Sequence, residues 1–103
     1  MDNHEKHTEP LRFWREPDGT ARFNFDHQWV KHSPTGTEWG YGGSGPADAA
    51  LNALLVFTDR ETAERLYQDF KDTFIAHIPN VGTTIPADIV RYWLQAKGAT
   101  YIK

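Results

Sequence analysis

Between residues 11 and 25 apolar and polar positions alternate, and beyond residue 46 they recur at helical spacing. Leu11-Arg12-Phe13-Trp14-Arg15 and Ala21-Arg22-Phe23-Asn24-Phe25 flank Glu16-Pro17-Asp18-Gly19. A period of two is that of a strand. Pro17 presets the first central φ of a turn, and Gly19 tolerates positive φ after Asp18. The pattern predicts a β-hairpin with Leu11, Phe13, Phe23 and Phe25 on one face and Arg12, Trp14, Arg22 and Asn24 on the other. A third extended piece, residues 28–32, ends at the turn signature Ser33-Pro34-Thr35-Gly36.

Three helices follow. Residues 46–57 carry only Asp48 and Asn52 as polar positions, which predicts a central, buried helix entered through Ser44 or Gly45 as N-cap. Thr58-Asp59-Arg60-Glu61 reads as a capping box opening a second helix. Its buried stripe is Ala63, Leu66, Tyr67, Phe70 and Phe74, continued by Ile78, and Pro79-Asn80 closes it. Residues 84–88 open a third helix buried through Ile89, Trp93 and Ala96, widened by Val90 and Leu94, with Gly98 at C′ and a short extended tail over residues 99–103. Strands first and helices afterwards argue α+β: a small antiparallel sheet, made of the hairpin plus a third N-terminal strand, packed on three C-terminal α-helices. Residues 1–9 read as a mobile polar tail and residues 10–103 as one domain.

Composition narrows the chemistry. With 103 residues, 14% of them aromatic and four of them tryptophan, the chain can build one core despite a mean hydropathy of -0.65. The net charge of -3 disfavours general binding to a phosphate backbone. The absence of cysteine excludes disulfides, zinc ribbons and thiol catalysis. No secretory h-region and no apolar run long enough to span a bilayer is visible, so a cytoplasmic protein without membrane attachment is expected. His4 and His7 have the spacing of a shared metal site, yet two ligands on a tail make a poor one, and no metal site or cofactor is expected.

The most distinctive stretch is Trp39-Gly40-Tyr41-Gly42-Gly43-Ser44-Gly45-Pro46. Together with His32-Ser33-Pro34-Thr35-Gly36 and Glu38 before it and Ala47, Ala50-Leu51 and Leu54-Leu55 after it, it resembles the signature of domain of unknown function 6166 (DUF6166), a family of small bacterial, phage and plasmid proteins. The likeness continues through Ala63, Tyr67-Gln68 and Phe70-Lys71 to residues 89–94, and so covers roughly residues 11–95. It departs at Thr37, at Asp48 and across residues 81–84. The resemblance implies a common structure and supplies no reaction.

Gly42, Gly43, Ser44 and Gly45 could cradle a phosphate or another small ligand at a helix start. A P-loop lysine is missing, however, and Pro46 and Asp48 follow, the carboxylate complementing the helix dipole instead of an anion. Ser44 sits between glycines as a nucleophile does at a sharp elbow, but Pro46 stands where the last glycine belongs, and nothing links His32 or His77 to it as a base. No catalytic residue is assigned. Arg12, Trp14 and Arg22 on the outer hairpin face, with Trp29 nearby, form a basic-aromatic strip, with Arg15 and Lys31 as reinforcements. Tryptophan and arginine are common interface anchors, and such a strip can also stack bases. The expected function is a non-enzymatic protein-interaction module acting on a host or bacterial protein, with a mobile-element inhibitor of a host system in the manner of an anti-CRISPR as its sharper form. A ligand module at the glycine loop and a single-stranded nucleic-acid binder are the alternatives.

Overall fold

The computed structural model describes residues 7–28 and 37–103. Its elements are β1 (Leu11–Arg15), β2 (Ala21–Phe23), α1 (Ser44–Phe57), α2 (Arg60–Thr73), a 3-10 turn (Ile75–His77), β3 (Gly82–Ile85) and α3 (Ala87–Ala96). They form an α+β fold with an antiparallel sheet ordered β2-β1-β3.

The hairpin closes as its turn chemistry dictates. Gly19 takes φ +89°, its N–H donates to the Glu16 carbonyl at 2.8 Å, and the Asp18 carboxylate accepts from the Thr20 N–H at 3.0 Å. Phe13 stands opposite Phe23 and Trp14 opposite Arg22. Leu11 and Phe13 are buried while Arg12 and Trp14 are exposed, so the two faces divide as the alternation predicts. Phe13 meets Phe23, Phe25 and Trp39 edge-on at 5.6, 5.6 and 5.8 Å, the offset geometry that aromatic quadrupoles favour.

The strand expected over residues 28–32 lies, apart from Gln28, outside the described residues. The third strand of the described sheet is β3, which comes from between α2 and α3 and pairs with β1 from Leu11↔Ile85 to Trp14↔Gly82. Thr84 and Ile85 therefore finish a strand instead of opening the third helix. Pro86 is the residue before α3, a position where its missing N–H costs nothing. Gly82 has φ +102°, and a Cβ there would lie 2.0 Å from the Phe13 carbonyl oxygen, so only glycine admits this crossing beside β1.

α1 starts earlier than the sequence suggests. Its N-cap is Gly43, with no side-chain cap bond, and Ser44 is already helical, so neither Ser44 nor Gly45 caps it. Asp48 falls beyond the first turn and is fully buried, which removes it as a partner for the helix dipole. The Asn52 amide donates to the Asp48 carbonyl at 2.8 Å within the helix. Leu51, Leu54 and Phe57 are all buried, in keeping with an apolar central helix. Thr58 does not cap α2: its hydroxyl donates to the Tyr101 carbonyl at 2.6 Å. Asp59 takes that role, accepting from the Thr62 N–H at 2.8 Å; hydrogen bonding from the Thr62 side chain, and then from its backbone, holds the Asp59 carboxyl below its ordinary pKa. α2 ends at Thr73, before Pro79, and the 3-10 turn that follows places both Ile75 and Ile78 in the core.

In α3 the buried stripe is Ala87, Val90, Arg91 and Leu94; Ile89 is 47% exposed and Ala96 is exposed, contrary to the sequence expectation. Two stripes at the same spacing compete here. The one containing Arg91 turns inward because the guanidinium is satisfied, donating to the Asp88 carboxylate and to the His7 carbonyl. Trp93 is half-buried, edge-on to Phe70 at 5.2 Å. The tail expected over residues 1–9 is tied to the domain at its last positions, since His7 also sets its ring edge-on to Phe57 at 4.8 Å. At the other end Gly98 ends α3 at φ +81°, and the Lys103 N–H donates to the Phe57 carbonyl at 2.7 Å, capping the end of α1 from outside.

Candidate interaction face

Trp14 stands in the middle strand, between Arg22 on β2 and Gly82 on β3, and keeps 41% of its surface exposed. Arg12 lies two residues along the same face, opposite Thr84. The structure thus brings Arg12, Trp14 and Arg22 together as the alternation predicts; Trp29 and Lys31 lie outside the described residues. Each guanidinium has a neighbouring carboxylate, Arg12 with Glu9 and Arg22 with Glu16, both at 3.4 Å and solvent-exposed. Pairs of this kind contribute little to stability and exchange readily. Asn24 belongs to the sheet, its Oδ1 accepting from the Arg12 N–H at 2.8 Å and its Nδ2 donating to the Pro10 carbonyl at 2.9 Å.

Arg15, expected to reinforce the strip, turns to the opposite side. Its guanidinium forks onto Glu38 at 2.9 and 3.2 Å, donates to the carbonyls of Gly19 at 3.2 Å and Asn80 at 2.6 Å, and lies 4.2 Å from the Trp39 ring centre. The hydrogen bonds from Arg15 hold the Glu38 carboxyl below its ordinary pKa, against the opposing effect of burial.

The glycine-rich loop is filled from within. Trp39 is buried and donates from Nε1 to the Pro79 carbonyl at 2.8 Å. Gly40, at φ +90°, donates its N–H to the Ile75 carbonyl at 3.0 Å. The Tyr41 ring lies over the next glycines: a Cβ on Gly43 would meet it at 2.4 Å, and one on Gly45 would lie 3.0 Å from its hydroxyl. The Gly42 carbonyl accepts from Lys71 at 3.3 Å. Among the described residues no histidine hydrogen-bonds the Ser44 hydroxyl; His32 lies outside them.

A feature the sequence does not announce lies at the outer edge of β2. A groove of about 490 Å³ runs there between Gly19–Phe23 on one side and His27, Thr37 and Glu38 on the other. The His27 ring packs on Phe23 at 4.6 Å and meets the Thr37 hydroxyl at 3.1 Å. Burial pushes the His27 pKa down, and the charges of Asp26 and Asp48 oppose the shift. Among the described residues no three His, Asp or Glu side chains cluster to hold a metal, and no described helix is long and apolar enough to cross a membrane.

The model of a family of unknown function, DUF6166, matches residues 6–96. The chain belongs to DUF6166. The match takes in the hairpin, the glycine-rich loop, β3 and all of α1, α2 and α3. Searches of the curated proteins and of the solved structures find no match. Membership in DUF6166, a family of unknown function, assigns no reaction or partner to the chain.

Proposed function

We propose that this chain is a protein-interaction module that engages its partner through the sheet face centred on Trp14. The observation that carries the reading is a tryptophan held half in solvent on a rigid central strand, with Arg12 and Arg22 beside it. Such a side chain offers a large apolar area with little rotamer freedom left to lose, which is why tryptophan and arginine dominate binding hot spots. The arginines can trade Glu9 and Glu16 for carboxylates of a partner, since exposed pairs are weak. Those same two carboxylates and a net charge of -3 count against a polyanion such as a nucleic acid, whereas a protein partner need offer only single carboxylates to Arg12 and Arg22 beside an apolar area for Trp14.

A photo-crosslinking amino acid at position 14, compared with one at Glu61 on the exposed side of α2, tests this in cell extract. A discrete protein adduct from position 14 alone, reduced by an R12A/R22A double substitution, is expected. Equal adducts from both positions, or an adduct removed by nuclease, would overturn it.

A further inference from the structure

Among the described residues, the hydrogen-bonding parity of the hairpin leaves the outer edge of β2 without a partner strand. The Glu16 N–H bonds the Thr20 carbonyl at 2.9 Å, and the Asn24 N–H bonds the Arg12 carbonyl at 3.3 Å. In an antiparallel ladder bonded and non-bonded pairs alternate, so Trp14↔Arg22 is a bonded pair, while Phe13↔Phe23 and Arg15↔Ala21 are non-bonded. The N–H and C=O groups of Ala21 and Phe23 therefore point away from β1, into the groove whose far wall is His27, Thr37 and Glu38. Among the described residues no hydrogen bond reaches these four groups.

We propose that this edge of β2 receives an extended peptide segment of the partner as a fourth strand, with carboxylates beside Arg22 and apolar side chains beside Phe23 and His27. The inference rests on the reading that a protein docks on this sheet, and adds how. Backbone groups of the edge give a peptide its affinity, and alternate side chains give it specificity. The charges select the occupant. A second copy of β2 paired about a twofold axis through position 22, the register that uses both Ala21 and Phe23, would set Arg22 against Arg22, which is unfavourable for directly opposed like charges. Glu38, on the far wall, is already neutralised by its fork from Arg15 and does not repel an acidic segment.

The probe is a capped octapeptide of alternating Glu and Val, with a Lys/Val counterpart and a Glu/Val version N-methylated on alternate amides, added to the full chain and followed by amide hydrogen exchange. In the free protein the Ala21 and Phe23 amides should exchange about tenfold or more faster than those of Trp14 and Arg22. The Glu/Val peptide should slow both about tenfold, the other two peptides should not, and R22E should invert the preference toward Lys/Val. Protection of Ala21 and Phe23 in the free protein, no effect of the Glu/Val peptide at about 1 mM, or equal effects of all three peptides would overturn the inference. Edge protection by the peptide together with failed crosslinking from position 14 would sink the face reading alone. Crosslinking from position 14 by a partner that leaves Ala21 and Phe23 exchange unchanged would sink the edge alone.

Discussion

The glycine-rich loop and the β2 hairpin strand sit close together, both near Glu38, yet they differ in what they leave unused. In the loop, Trp39, Gly40 and the Tyr41-covered glycines are each engaged inside the domain. In β2, an ordinary three-residue strand, one backbone edge has no partner strand among the described residues, and Arg22 is solvent-exposed. The difference teaches that a distinctive sequence marks where the backbone is constrained, whereas a site arises where groups are left without internal partners.

Substitutions in the two regions should therefore separate stability from binding, and the largest loss of stability is expected in the loop. Trp39→Ala removes a buried ring, its bond to Pro79 and the platform under Arg15, and should cost about 3–5 kcal/mol in urea unfolding. A cost below about 1 kcal/mol would mean that the loop is not built around that ring. Gly40→Ala places a Cβ at φ +90° and 3.2 Å from the Ile78 carbonyl oxygen; a loss of about 1–3 kcal/mol is expected from the same measurement.

Glu38 lies between the two regions and brings in pH. Its carboxyl has a lower pKa folded than unfolded, so its contribution is complete above the ordinary glutamate range and is lost as pH falls through the folded value. The pair is partly exposed, so wild type should exceed Glu38→Gln by about 0.5–1 kcal/mol at neutral pH. That gap should close on acidification in parallel urea titrations; a gap that persists in acid would assign it to packing. The smallest effect on stability falls in β2. Arg22→Ala should change the unfolding free energy in urea by no more than about 0.5 kcal/mol while weakening binding of the acidic peptide most of all.

The sequence makes the hairpin plain because turn chemistry and alternation agree at Pro17, Gly19 and the four phenylalanine and leucine positions. The face bearing Arg12, Trp14 and Arg22 follows from the same alternation. β3 is not legible: four residues with a glycine at one end and a proline just beyond read as a helix entry, and only the position of β1 turns them into a strand. The α3 stripe is ambiguous for a different reason. Ile89-Trp93-Ala96 and Ala87-Val90-Leu94 both have helical spacing, and the bonds that let Arg91 face inward come from residues far away or on the preceding turn. Which β2 groups point away from β1 is hidden because hydrogen-bond parity depends on register, which no single strand reveals.

Arg15 links the hairpin turn to Glu38, Trp39 and Asn80, and its bond to the Asn80 carbonyl spans 65 residues of sequence. Its contacts should therefore be absent from the folding transition state and act as a latch on the assembled domain. Arg15→Met should speed unfolding roughly threefold to tenfold and leave the refolding arm of the chevron unchanged. The lifetime of the folded molecule, more than the speed of its formation, is what this one side chain sets.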